Sequence, residues 1–172
     1  MTPPAGIRVA WRRIPPATAR RETSRALLAE LLPGADMVSR CPACGGEHGR
    51  IRVRGGDAAV SVSYAGGWAV AAVSTVAGRG IGVDAVPLGA IGLDRVLGSA
   101  VSERAWARVE AVLKADGRGL TVDPRRVEVH DGTDGWTAAI DGVGGWAGWD
   151  VDGPEGVVIA VAVDQGVASG EG

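Results

Sequence analysis

The stretch VSVSYAGGWAVAAVS, residues 60–74, decides how the middle of this chain folds. Its first four residues alternate apolar and polar side chains with a period of two, which predicts a half-buried strand. The glycine pair at 66–67 predicts a tight turn, and the run of small apolar residues over 68–76 predicts a buried strand after that turn. The next run, IGVD at residues 81–84, predicts a third, short strand that ends on the acid Asp84.

Two helices are predicted on either side of these strands. Residues 18–32 carry a stripe of leucines and stop at a Pro-Gly pair. Residues 102–115 give the clearest helical pattern, because Ser102 can cap the N-terminus and Gly117 can adopt the left-handed conformation that ends a helix. Further strands are predicted over residues 126–129, 136–140 and 157–163, and residues 35–56 are predicted to be a loop. The fold class is therefore mixed α+β.

Charge and hydropathy argue against several classes of function. The formal net charge is −2, which argues against broad nonspecific binding to nucleic acid. Arginines are concentrated in residues 8–54, which favours a small polyanionic ligand or, alternatively, a solvated arginine-rich surface. No stretch approaches the roughly 20 apolar residues that span a bilayer, and residues 1–13 lack the apolar run of a secretory signal. We therefore expect a cytoplasmic monomer that binds neither nucleic acid nor a membrane.

Four short motifs follow one another along the chain. They are GRI (residues 49–51), VSVSYAGG (60–67), IGVD (81–84) and WARVEAVLK (106–114). Their order and residue types resemble the phosphopantetheinyl transferase superfamily, in particular its surfactin-synthetase-type branch. The pattern of that family is a Gly-Lys/Arg-Pro piece, a strand ending in Ser-His, a Gly-x-Asp-x-Glu strand and a Trp-x-x-Lys-Glu-Ala-x-x-Lys helix. The resemblance extends over roughly residues 20–165.

The resemblance implies a fold, a reaction and two partners. The implied fold is two similar α/β lobes, residues 1–86 and 87–165, with a ligand cleft between them and a flexible tail over residues 166–172. The implied reaction is Mg²⁺-dependent transfer of the 4′-phosphopantetheine arm of coenzyme A to a serine of an acyl, peptidyl or polyketide carrier protein. Adenosine 3′,5′-bisphosphate is the other product. The implied partners are coenzyme A and the apo carrier protein.

Two carboxylates are the candidate metal ligands. Mg²⁺ binds one or two carboxylates together with phosphate oxygens and water, so we expect Asp84 and Glu110 to meet around a single ion. By the family pattern, Glu110 also accepts the proton of the attacking serine. Lys114 lies one helical turn beyond Glu110 and can contact a phosphate oxygen as charge builds on the leaving group. Alternatively, Glu110 and Lys114 are a plain surface pair that contributes about 0.2–0.5 kcal/mol to the helix.

The resemblance also implies residues that bind coenzyme A. Arg50 is assigned to a phosphate, which its guanidinium can grip in a bidentate way. Ser63 and Tyr64 are assigned to the pyrophosphate, together with Lys114. Arg21 and Arg25 on the first helix are candidates for the ribose 3′-phosphate or, alternatively, are surface arginines.

Several positions depart from the family pattern. Val86 stands where many relatives carry a third acidic metal ligand, and Val109 replaces the lysine that precedes the helix glutamate. Tyr64 replaces a histidine, and Ile51 replaces a proline. These changes remove one acid and two possible cations from the expected site. The alternative function is therefore a weakened or inactive relative that binds coenzyme A or a carrier protein without transfer.

A Cys41-x-x-Cys44 pair precedes His48 by four residues. Two thiolates and an imidazole can hold zinc, although a structural zinc site takes a fourth ligand. A third hypothesis is therefore a small interaction module stabilised by zinc.

Overall fold

The structure, a computed structural model, describes residues 2–41, 43–93 and 101–166. Its helices are α1 (Arg20–Leu31) and α2 (Glu103–Asp116), and two short 3₁₀ turns cover Gly119–Thr121 and Pro124–Arg126. Its strands, in chain order, are β1 (Ile7–Arg13), β2 (Met37–Val38), β3 (Arg52–Val53), β4 (Ala59–Ala65), β5 (Trp68–Ser74), β6 (Ile81–Pro87), β7 (Val127–Asp131), β8 (Trp136–Ile140), β9 (Val143–Val151) and β10 (Val157–Asp164). The predicted mixed α+β class is confirmed.

The strands form three antiparallel sheets. One has three strands in the order β1-β5-β4, a second has five in the order β6-β10-β9-β8-β7, and β2 pairs with β3. The predicted hairpin is present, with Ala65 opposite Trp68 across a two-residue turn. Gly66 and Gly67 have φ angles of 55° and 81°, the left-handed values that such a turn needs at both positions.

Each of the two larger sheets carries one helix. Leu27 and Leu28 of α1 pack on the small side chains of β5, such as Ala69 and Ala71. Val112 and Leu113 of α2, with Ala107, Ala111 and Ala115, pack on the five-stranded sheet. A further apolar cluster takes side chains from both sheets, among them Val70 and Val161. The two sheets therefore share a core, and each helix covers a face outside it.

Two serines join the sheets along β4 and β6. The Val83 N–H donates to Ser61 Oγ at 3.1 Å, and the Ala85 N–H donates to Ser63 Oγ at 3.2 Å. The step from Ser61 to Ser63 on β4 matches the step from Val83 to Ala85 on β6. The two strands therefore lie side by side and run in the same direction. We call this contact the serine seam. The predicted lobe division at residue 86 falls within β6, one residue before its end, and β6 pairs with β10 of the C-terminal half.

One boundary predicted from the sequence is wrong. Asp84 does not end a strand, because β6 continues to Pro87 and pairs Ala85 and Val86 with Ile159 and Val158 of β10. Asp84 is the central residue of a strand that is buried along nearly its whole length.

Strands β1, β2, β3 and β9 were not predicted, and β2 and β3 lie within residues 35–56, which were predicted to be a loop. In β1 the apolar residues Ile7, Val9 and Trp11 alternate with Arg8 and Arg12, so a strand signal was present there, whereas the three glycines of β9 weaken its pattern. Of the predicted tail, only residue 166 is described, and residues 167–172 lie outside the described part of the chain. Among the described residues, neither helix has the length and apolar character needed to cross a bilayer.

Candidate functional site

Glycines in and before β6 let α2 lie directly on the sheet. A Cβ atom at Gly82 would lie 2.5 Å from the Ala115 nitrogen and still closer to the Ala111 carbonyl oxygen. A Cβ atom at Gly80 would lie 2.5 Å from the Ala115 oxygen. Both positions therefore accept only glycine while the helix stays in place. Since side chains alternate along a strand, Asp84 continues the face on which Gly80 and Gly82 meet α2.

Asp84 is 7% exposed, and one of its oxygens is already engaged. Oδ1 accepts a hydrogen bond from Ser63 Oγ at 2.8 Å and from Lys114 Nζ at 2.7 Å. Lys114 also donates to the Val83 carbonyl oxygen at 3.0 Å. Among the described residues, none donates a hydrogen bond to Oδ2 of Asp84. Asp84 on β6 and Lys114 on α2 thus form an ion pair that was not predicted, and one carboxylate oxygen of Asp84 remains available.

Glu110 completes the cluster. It is half-buried, and its carboxylate accepts no hydrogen bond from the described residues. Burial raises its pKa, the negative charge of Asp84 raises it further, and the positive charge of Lys114 opposes both effects. The structure therefore brings Asp84, Glu110 and Lys114 together.

The donor set fits a hard divalent cation. Oδ2 of Asp84 and the Glu110 carboxylate supply hard oxygen ligands, which Mg²⁺ prefers. Burial is the main cause of the raised pKa of Glu110, and a bound cation would relieve the further increase that the charge of Asp84 adds. The residues that hold magnesium in this site would be Asp84 and Glu110.

A cavity of about 550 Å³ opens beside this cluster. Its walls come from α1, the segment before β3, β4 and the C-terminal end of α2. Five cationic side chains line it, and no carboxylate is among the lining residues; the cations are Arg20, Arg21, Arg25, Arg50 and Lys114. Three of the four residues predicted to bind coenzyme A, Arg50, Tyr64 and Lys114, line this cavity, and its charge suits a polyanion.

Arg50 lies over the C-terminal end of α2. Gly117 caps this helix with a φ of 85°, and a Cβ atom there would overlap the guanidinium of Arg50. Arg50 is an exposed residue, but partial burial of its guanidinium lowers the pKa of that group. The positive charge of Arg52 lowers the pKa further, and the negative charge of Asp116 opposes both effects. No described carboxylate lies within ion-pair distance of Arg50. It is therefore a cation available to a ligand.

Tyr64 is held in place by two residues of α1. Its hydroxyl hydrogen-bonds to Ser24 Oγ at 2.7 Å, and the guanidinium of Arg20 lies 5.0 Å from the centre of its ring. The sequence analysis did not identify Ser24 or Arg20. The alternation of residues 60–64 could have indicated these contacts, because it places the side chains of Val60, Val62 and Tyr64 on the face of β4 that packs against α1.

The remaining predicted residues have other surroundings. Ser63 is buried, and its hydroxyl both donates to Asp84 and accepts from the Ala85 N–H, so it belongs to the serine seam and does not line the cavity. The side chain of Arg25 donates to Ser39 Oγ at 2.8 Å. Val86 and Val109 are buried in the cluster between α2 and its sheet. Val86 and Val109, two of the residues that depart from the family pattern, therefore contribute to core packing.

Family models and curated proteins were both compared with this chain, and neither comparison gave a match. The resemblance to phosphopantetheinyl transferases rests on the four motifs and stays a prediction.

Proposed function

We propose that this protein is a Mg²⁺-dependent 4′-phosphopantetheinyl transferase that modifies a serine of an acyl, peptidyl or polyketide carrier protein. One observation carries the proposal. Two carboxylates and a lysine, Asp84, Glu110 and Lys114, meet beside a cavity lined by five cations and by no acid. In the proposed architecture, coenzyme A occupies the cleft between two α/β lobes, residues 1–86 and 87–165.

The charges of the cavity match those of coenzyme A. The coenzyme carries a diphosphate and a ribose 3′-phosphate, and the cavity offers guanidinium groups from both α1 and the segment before β3. Arg50 lacks a carboxylate partner among the described residues, so binding a phosphate costs it no existing ion pair. Arg21, whose side chain has no hydrogen-bond partner among the described residues, is the better candidate for the 3′-phosphate than Arg25, which already donates to Ser39.

The chemistry follows from the positions of the three clustered side chains. The serine oxygen of the carrier protein forms a bond to the phosphorus that bears pantetheine, and the bond from that phosphorus to the bridging oxygen breaks. Adenosine 3′,5′-bisphosphate leaves, and the serine proton moves to Glu110, whose raised pKa suits a general base. Lys114 turns from Asp84 toward an oxygen of the leaving group. Magnesium, when bound, neutralises charge on the diphosphate oxygens.

A second candidate function is binding of coenzyme A or a carrier protein without transfer. The direct ion pair between Lys114 and Asp84 favours it, since this lysine neutralises an acid that the metal needs. Tyr64 in place of the family histidine also favours it, because a phenol supplies no positive charge.

Intact-mass measurement of the carrier protein separates the two functions. The full chain is incubated with Mg²⁺, coenzyme A and an apo carrier protein, and transfer adds one phosphopantetheine to the carrier mass. We expect this gain with the wild-type chain and its loss in Asp84→Asn and Glu110→Gln. Glu128→Gln, an exposed acid on β7, is the matched control and should retain the gain. Coenzyme A binding without any mass gain would replace transfer with the second function.

A further inference from the structure

A second cluster of ligand atoms lies in the segment between β2 and β3. Sγ of Cys41, Sγ of Cys44 and a ring nitrogen of His48 all lie within 4.8 Å of one another. The Cys44 sulfur and Nε2 of His48 are 2.9 Å apart. In a tetrahedral zinc site two thiolates lie about 3.8 Å apart, given Zn–S bonds of about 2.3 Å. The three ligand atoms thus already converge in a space of the size that a zinc site occupies.

Backbone hydrogen bonds fold this segment around the cluster. The Cys41 N–H donates to the Gly46 oxygen at 2.7 Å, and the Gly45 N–H donates back to the Cys41 oxygen at 2.8 Å. Gly45 has a φ of 73°, which a residue with a side chain rarely adopts. The backbone therefore holds Cys41 in place without help from the side chains.

Two more glycines make room for the ligands. A Cβ atom at Gly46 would lie 3.0 Å from Cδ2 of His48, and a Cβ atom at Gly49 would lie 2.8 Å from the Cys41 nitrogen. Glycine at these positions lets His48 fold back over the cysteines and lets the segment close on itself. The glycines and the backbone hydrogen bonds of this segment therefore both favour the convergence of Cys41, Cys44 and His48.

The chemistry of the ligands selects the metal. A deprotonated thiol is the form of cysteine that binds a metal. Two thiolates and one imidazole favour zinc over Mg²⁺ or Ca²⁺, which take oxygen ligands. Cys44 and His48 are both exposed, so an ion can enter from solvent.

We propose that Cys41, Cys44 and His48 bind one zinc ion, with water in the fourth position. This metal site is separate from the Asp84–Glu110 cluster, and the proposal does not depend on transferase activity. Among the described residues between β2 and β3, none belongs to a helix or a strand. A bound zinc ion would therefore stabilise the conformation of this segment. His48, Gly49 and Arg50 also line the cavity, so the ion would fix the backbone that presents Arg50 to a ligand.

The test is a zinc titration of the reduced, metal-free full chain against a chromophoric chelator. We expect one zinc per wild-type chain. Cys44→Ser and His48→Ala should each weaken binding by more than about 100-fold, since losing even a residue that only supports a ligand costs 10–100-fold. His130→Ala removes the other histidine of the chain, which is exposed on β7, and should bind zinc as the wild type does. Co²⁺ in place of zinc should give the visible absorption of a tetrahedral thiolate site.

Two results would overturn the zinc site. One is wild-type affinity no higher than that of Cys44→Ser. The other is a Cys41–Cys44 disulfide in the purified protein that, once reduced, takes up no zinc. Thermal melts of the metal-free variants should match the metal-free wild type, which ensures that weak binding reports a lost ligand and not a lost fold.

Discussion

Gly82→Ala is the substitution that most directly perturbs how α2 sits on β6. The added Cβ would lie 2.5 Å from the Ala115 nitrogen and closer still to the Ala111 oxygen. Ordinary contact between such atoms begins near 3.5 Å, so the helix must retreat by at least about 1 Å. Overpacking of this kind costs about 1–3 kcal/mol of unfolding free energy.

The same retreat separates the site residues. Lys114 moves with α2 while Asp84 stays on β6, so their 2.7 Å ion pair opens to about 3.7 Å or more. A misplacement of about 1 Å in a catalytic arrangement can reduce the rate roughly 100-fold. We therefore expect Gly82→Ala to remain folded with lower stability and to transfer phosphopantetheine about 100-fold more slowly.

Urea unfolding measures the first effect, and the rate of mass gain of a carrier protein measures the second. Gly56→Ala is the matched control, because a Cβ atom at Gly56 meets nothing within 4 Å and its φ is not left-handed. It should leave both quantities unchanged. If Gly82→Ala were as stable and as active as Gly56→Ala, the close packing of α2 on β6 would be refuted as the basis of the site.

Three further perturbations follow from the contacts. Arg108→Ala breaks the ion pair with Asp150, which is largely buried between α2 and the five-stranded sheet, and it should lower the free energy of unfolding in urea by about 3 kcal/mol. Arg104→Ala, at an exposed arginine near the same acid, should lower it by less than about 1 kcal/mol. The raised pKa of Glu110 means that its folded form holds a proton more tightly, so wild-type stability falls as pH rises from the ordinary value of 4.5 through the folded pKa. Glu110→Gln should remove that fall, so its melting temperature should exceed that of the wild type at neutral pH and converge with it in acid; a constant difference at every pH would contradict this. Arg50→Ala should weaken coenzyme A binding roughly 10- to 100-fold by calorimetry, because charged hydrogen bonds contribute about 1.5–3 kcal/mol, while Arg54→Ala should not change it.

The central hairpin and α2 could be predicted because their signals are local. Alternation over residues 60–63 and the glycine pair define β4 and its turn, and Ser102 does accept a hydrogen bond from the Ala105 N–H at 3.2 Å. Gly117 ends α2 in the left-handed conformation, as predicted. Each of these features is set by a few neighbouring residues.

Features that depend on distant partners could not be predicted. β9 contains three glycines, and it is a strand because it pairs with β8 on one side and with β10 on the other. Ser63 has an ordinary strand position in the sequence, and only the approach of β6 gives its hydroxyl two partners. The convergence of Asp84 and Glu110 was a hypothesis from family resemblance, and the ion pair between Asp84 and Lys114 was not predicted; the close approach of α2 to β6 depends on two glycines whose role is visible only in three dimensions.

The proposed transfer requires that Asp84 and Glu110 together hold one divalent cation. Titration of Mn²⁺ in the presence of coenzyme A, followed by electron paramagnetic resonance, measures this directly, with the Cys44→Ser background used to remove the zinc ligands. We expect one Mn²⁺ per chain and a large loss of affinity in Asp84→Asn and in Glu110→Gln. We further expect that the double variant binds little worse than either single one, because both acids serve the same ion. Mn²⁺ binding that is equally tight in the parent and in both single variants would contradict the account.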